Sequence, residues 1–174
     1  FKMVSTYGLL DAGAIGLDTP IDCPATMTVA ERTFKNADGL GALGRVPFRT
    51  AFAKSCNTAF VALAPKLGAD GLARTGTAMG LGTAWDLGID AFTGKVSTGG
   101  SATEQASAAF GQGTTVVSPL AMAAATAAVA RGQWKQPVLI TDPAPAKPAA
   151  DGPPLKPEAD EALRTMMREV VTSG

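Results

Sequence analysis

The 174 residues contain no histidine. Ser-His-Asp and Cys-His catalysis are excluded from this stretch, as are the usual zinc sites, so any proton transfer must use another base. Net charge is missing too: 15 basic and 15 acidic side chains cancel and are spread along the chain, leaving no basic stripe for nucleic acid and no acidic tail. Only two cysteines occur. Cys23 and Cys56 are too far apart for a CxxC-type redox or metal pair, and stand either as two buried thiols or as one disulfide, which requires an oxidising compartment. Long apolar runs are also lacking. The most apolar stretch, residues 119–130, is short and mostly alanine, and reads as a buried helix instead of a membrane span. Two nucleotide-binding patterns fail as well. Residues 88–95 place five residues between the glycines instead of four, with Val96 where a serine or threonine would hold magnesium, and the Gly80 and Gly82 pair has neither a third glycine nor a preceding strand. No cofactor and no metal is expected.

What is present suffices for one core. With 46% hydrophobic residues and no sharp shift in composition, the chain reads as one domain or one large piece of a domain. Met3, Tyr7 and Leu10 lie four and three apart, on one face of a helix that stops near Gly13 and is expected to begin before Phe1. Residues 26–29 and 32–34 are β-prone and flank Ala30-Glu31, as in a short hairpin. Glycines at 39, 41 and 44 read as a flexible link to Val46-Pro47 and a helix that runs toward Lys54. Ser55 ends that helix, and Asn57 is placed to cap the next, which stops at Gly68.

Further along, helices are predicted over 70–79 and 103–110, with a glycine-rich irregular stretch between them. Ser118-Pro119 opens an alanine-rich helix, able to pack closely on all sides, that ends at Arg131-Gly132. A strand is predicted over 137–141, a Pro/Ala-rich surface link over 142–157 and an amphipathic helix over 158–172.

Three pieces could carry chemistry. Phe1-Lys2-Met3-Val4 opens the chain, Ser55-Cys56-Asn57 sits within Ala51-Phe52-Ala53-Lys54-Ser55-Cys56-Asn57-Thr58-Ala59-Phe60, and Gly111-Gln112-Gly113 precedes Val117-Ser118-Pro119-Leu120-Ala121-Met122-Ala123. Taken alone, Lys2 is an ordinary solvated lysine, Ser55 and Asn57 are helix-stop and cap residues, and the glycine pair shapes a loop. Their order changes this reading.

Together with Arg32-Thr33-Phe34-Lys35-Asn36 after Cys23-Pro24, they resemble the transpeptidase domain of penicillin-binding proteins, in the style of actinobacterial class B members, over nearly the whole chain. Phe1-Lys2 resembles the end of that family's S-T-F-K segment, whose serine would occupy the second place before Phe1. Serine and lysine three apart share a helix face, where the helix dipole favours an alkoxide and a lysine of lowered pKa can take its proton. Ser55-Cys56-Asn57 resembles the S-x-N element, its serine a proton relay and its asparagine an anchor for lysine and substrate amide.

The resemblance implies an α/β parent domain, an antiparallel sheet covered by helices, to which this piece, residues 1–174, contributes a mainly helical lobe with a short hairpin. It implies a serine-type D,D-transpeptidase that cross-links peptidoglycan stem peptides and is trapped by β-lactams. Lys2, Ser55 and Asn57 are the expected catalytic residues. The K-T-G strand, with one amide of the oxyanion hole, is expected after Gly174, and the piece alone is expected to be inactive. Expected partners are stem peptides, β-lactams, the remainder of the same domain and a membrane glycan polymerase, on the extracytoplasmic face of a bacterial membrane. That location motivates the Cys23–Cys56 disulfide. Alternatives are a D,D-carboxypeptidase, a serine β-lactamase, and a non-catalytic β-lactam sensor or scaffold.

Overall fold

The computed structural model describes residues 1–142 and 150–174. Its axis is α1 (Lys2–Asp11), of which Met3, Val4, Ser5, Thr6, Tyr7, Leu9 and Leu10 are all buried. The apolar spacing pointed to one covered face. The helix is instead enclosed, because α3 (Asn57–Leu67), α4 (Gly71–Ala78) and α7 (Pro157–Ser173) all pack on it. Gly8 permits the close approach of α4: a Cβ there would stand 2.6 Å from Thr75 Oγ1. α7 is amphipathic and turns Ala159, Leu163 and Met166 inward, against α1 and against α2 (Phe48–Ala53).

α2 and α3 form a tight helix-turn-helix over residues 48–67. Phe48, Phe52 and Phe60 gather inside it, with ring centroids 5.6 Å apart for Phe48–Phe60 and 6.5 Å for Phe52–Phe60. α5 (Ala102–Ala109) lies along α3 and is stopped from fraying by a capping box between Ser101 and Glu104. α6 (Pro119–Arg131) begins and ends where its sequence signals put it: the Ser118 hydroxyl accepts a hydrogen bond from the Ala121 amide at 3.1 Å, and Gly132 closes it in the left-handed conformation. It buries one side only, through Ala121, Ala124, Ala125, Ala128 and Val129, while Leu120 on the other side is 47% exposed.

Two small antiparallel sheets complete the lobe. β2 (Thr26–Val29) and β3 (Arg32–Lys35) form the expected hairpin, with Val29 opposite Arg32 and Ala30 in the left-handed region at the turn. β1 (Pro20–Cys23) pairs with β4 (Gly44–Pro47), in register from Pro20 opposite Pro47 to Cys23 opposite Gly44. The supposedly flexible glycine link therefore ends in a strand. Leu40, Leu43 and Val46 draw it down onto Cys23, Ala51, Cys56 and Ala59.

Residues 137–141 form no strand. Val138, Leu139 and Ile140 are 52%, 50% and 62% exposed, because β-propensity is realised only in pairing with a neighbour and no described strand pairs with them. Residues 143–149 of the expected Pro/Ala link lie outside the described residues. Its last part is no loose surface link: Leu155 is buried, the Gly152 amide donates to Trp134 O at 3.0 Å and the Lys156 amide donates to the Tyr7 hydroxyl at 2.9 Å. Among the described residues, no helix is long and apolar enough to cross a membrane.

Candidate active site

The folding of α1 onto the α2–α3 turn brings Lys2 to Ser55 and Asn57, which follow it by 53 and 55 positions. Its ammonium donates to Ser55 O at 2.7 Å, Ser55 Oγ at 2.8 Å and Asn57 Oδ1 at 2.7 Å. Three donors meet three oxygens, so no hydrogen of the ammonium is left unsatisfied. The Phe60 ring lies below, its centroid 5.4 Å from Nζ. All three sequence-predicted site residues therefore converge.

The turn is shaped for this contact. Ser55 has φ +57, a left-handed conformation costing a non-glycine residue about 1–2 kcal/mol. It lets both the carbonyl and the hydroxyl of one residue face Lys2. Cys56, and not Asn57 as the sequence suggested, is the N-cap of α3: its sulfur accepts from the Ala59 amide at 3.4 Å. Asn57 is the first helical residue, and its side chain is thereby released toward the cleft. Its Oδ1 takes Lys2 while Nδ2 donates to Lys35 O at 3.1 Å. That second contact fixes the amide, since flipping it would set the NH2 against an ammonium and the oxygen against a carbonyl.

Burial lowers Lys2 from the ordinary lysine value of 10.5 to about 8, because desolvation disfavours the charged form. Of its three acceptors, Ser55 O and Asn57 Oδ1 can only accept. The Ser55 hydroxyl can reverse, accepting from the ammonium and donating to the neutral amine. Of the three, only the Ser55 hydroxyl is therefore chemically able to pass a proton to or from Lys2.

Cys23 and Cys56 are joined in a disulfide, with Cα atoms 6.2 Å apart, and both residues are fully buried. It ties the S-x-N turn to β1. The Gly111-Gln112-Gly113 loop reaches the opposite flank. A Cβ on Gly111 would lie 2.5 Å from Phe1 Cβ, and Gly111 has φ +86, so this wall sits on the start of α1 and admits glycine on two separate grounds. Gly111→Ala is expected to displace Phe1 and lower the melting temperature, at a cost of about 1–2 kcal/mol of backbone strain. Thermal unfolding of the variant beside the wild type checks the effect.

Two contributors escaped the sequence reading. Phe60, which closes the sequence segment around Ser55 and Asn57, is buried in the core and is also the floor under Lys2. Asn36 looked like the end of a hairpin and is buried against Thr58. Among the described residues, no cluster of three or more metal-ligating side chains occurs.

A mainly helical lobe around a partly buried lysine, with a serine and an asparagine delivered by the turn between two helices, belongs to the transpeptidase/β-lactamase-like fold. The chain is a member of the penicillin binding protein transpeptidase domain family, whose pattern matches residues 1–174. No curated protein matches it significantly. Among solved structures it is similar to penicillin-binding protein A from M. tuberculosis in a ceftriaxone acyl-enzyme complex, at 25% identity and a TM-score of 0.84 over 99% of this chain and 42% of that one. A structure described as a peptidoglycan synthase complex coordinating polymerization and crosslinking matches at 26% identity and a TM-score of 0.84, over 100% of this chain and 32% of that one. A putative peptidoglycan glycosyltransferase from Atopobium parvulum shares the fold, with a TM-score of 0.86 at 20% identity, over 100% of this chain and 42% of that one. The chain thus spans less than half the length of each.

Proposed function

We propose that this chain is the helical lobe of a D,D-transpeptidase domain and supplies the base, proton relay and substrate anchor for serine acyl transfer. The observation that carries the reading is the hydrogen-bonded set of Lys2 Nζ, Ser55 Oγ and Asn57 Oδ1. The nucleophile in this reading is a serine one helical turn before Lys2, outside the 174 residues. The third element, a K-T-G strand with part of the oxyanion hole, lies beyond Gly174, and the lobe by itself is inactive.

Neutral Lys2 takes the proton as the serine oxygen attacks the carbonyl of the penultimate D-alanine of a stem peptide. The carbon–nitrogen bond then breaks, and the departing D-alanine amine receives a proton passed from Lys2 through Ser55. An amine of a neighbouring stem peptide attacks the acyl-enzyme, its own proton returns along the same pair, and the serine is released. Asn57 has a second Nδ2 hydrogen besides the one on Lys35 O, and that hydrogen is the anchor for a substrate amide carbonyl. β-Lactams acylate the same serine, in keeping with the acyl-enzyme state described for the M. tuberculosis relative.

The reading places the parent on the extracytoplasmic face of a bacterial membrane, where the Cys23–Cys56 bond is stable. Its partners are stem peptides, β-lactams, the rest of its own domain and a membrane glycan polymerase, the last supported by the similarity to a synthase complex that couples polymerization to crosslinking. Ile89, Phe92, Val116, Leu120, residues 138–140, Val170 and Val171 are exposed apolar residues, and the remainder of the domain would cover part of that surface.

Muropeptide analysis after incubating the parent domain with peptidoglycan strands tests the reaction class. Dimeric muropeptides are expected. Monomers merely shortened by one residue would mean a carboxypeptidase, and penicillin turnover without either product a β-lactamase. A stable penicillin adduct with no muropeptide change would mean a sensor or scaffold.

A further inference from the structure

Asn36 is 5% exposed, yet no part of the chemistry above uses it. Its Nδ2 donates to Pro24 O at 3.0 Å and to Gly41 O at 2.7 Å, and its Oδ1 accepts the Thr58 amide at 3.1 Å. One side chain thus ties together the loop residue that follows β1, the glycine-rich link and the first turn of α3. Both of its amide hydrogens are spent, and the Thr58 hydroxyl, which lies 3.3 Å from Oδ1, commits its hydrogen to Pro24 O at 2.8 Å.

The neighbouring residues on each side are the ones that matter for the site. Lys35 precedes Asn36 and its carbonyl receives Asn57 Nδ2; Asn57 precedes Thr58 and its Oδ1 receives Lys2. The consecutive pair 35–36 therefore grips the consecutive pair 57–58 through two parallel contacts of 3.1 Å each. Asn36 holds the backbone separation at which Lys35 O can fix the Asn57 amide, and that amide can face the ammonium in only one orientation.

Resting on the function proposed above, we infer that Asn36 is a positioning residue for acyl transfer, clamping the hairpin to the S-x-N turn so that Asn57 presents its oxygen to Lys2 and its free N–H to the substrate. The disulfide ties the same turn, at the N-cap Cys56, to Cys23 of β1 and not to the hairpin. It limits how far they part but leaves the Asn57 amide free to rotate. Asn36 supplies the orientation that a covalent tether does not.

A double-mutant cycle on the parent domain separates positioning from mere support, because residues acting through one contact show non-additive effects. Penicillin acylation is followed for the wild type, Asn36→Ala, Asn57→Ala and the double variant. Asn36→Ala is expected to slow acylation about 30-fold and Asn57→Ala about 300-fold, with the double variant within about threefold of Asn57→Ala alone. Losses that multiply in the double variant would overturn the inference, since Asn36 would then act independently of Asn57.

The isosteric Asn36→Asp, which removes both donors, serves if the alanine variant does not fold. If neither folds, the residue is a structural one and the inference fails. Failure of the underlying function looks different: wild-type protein would not acylate, or Asn57→Ala would acylate normally.

Discussion

Replacing Lys2 by alanine in the parent domain should reduce the rate of penicillin acylation by about 10³-fold or more while leaving the fold intact. The magnitude follows from the position of the side chain, because a lone general base contributes about 10²–10⁴-fold and Lys2 also anchors the turn through Ser55 O, Ser55 Oγ and Asn57 Oδ1. With neutral Lys2 as the proposed base, wild-type acylation should rise as pH increases through about 8, the value to which burial lowers Lys2. Lys2→Ala should lose that limb altogether.

The same group affects stability with a definite sign. Between about 8 and 10.5 the unfolded chain binds the Lys2 proton more tightly than the folded one, so folded-state stability rises with pH across that window. Stopped-flow acylation and urea unfolding on a pH series measure the two together. A Lys2→Ala enzyme with a wild-type pH limb would remove the lysine from the mechanism.

The second large effect concerns the disulfide. Cys23 and Cys56 are 33 positions apart, and closing a loop of that length restricts the unfolded chain by about 3–4 kcal/mol. The double variant Cys23→Ala, Cys56→Ala, or the wild type after reduction, should lose stability of that order in denaturant. Activity should fall further than stability alone explains. Cys56 sits between Ser55 and Asn57 and caps α3 with its sulfur, so its loss loosens the element that carries both. Equilibrium unfolding with and without reductant, alongside acylation of the fraction still folded, separates the two contributions. Unchanged stability would mean that the bond does not form in solution.

How far these features could be read in the sequence depended on whether their causes were local. α6 was legible at both ends because Ser118-Pro119 and Gly132 act on adjacent backbone groups. The hairpin at 26–35 was legible because both β-prone runs flank a two-residue turn. β4 was not. Glycine and proline bound it, and it becomes a strand only when Leu43 and Val46 are drawn onto the buried disulfide by tertiary packing. The strand expected over 137–141 failed in the opposite way: its side chains favour β structure, but no described strand pairs with it.

At the site, Lys2, Ser55 and Asn57 were recognisable by family order and not by their own chemistry, since each reads singly as surface or cap. Their convergence is a tertiary event, produced when α1 is enclosed by α3, α4 and α7. The cap was misassigned because asparagine is a favoured cap residue in general, whereas the positive φ of Ser55 moves the helix start back to Cys56. Asn36 was hidden for a related reason. A polar residue at the end of a hairpin looks solvated until Thr58, Pro24 and Gly41 are brought around it.

The central claim is that Lys2, Ser55 and Asn57 serve a serine one turn before Lys2, with none of the three itself the nucleophile. Peptide mapping by mass spectrometry of the penicillin-treated parent domain tests it most directly. The expected result is a single acyl adduct on the peptide that runs into Phe1-Lys2-Met3, at the serine two places before Phe1. An adduct on Ser55, or none on any serine, would contradict it.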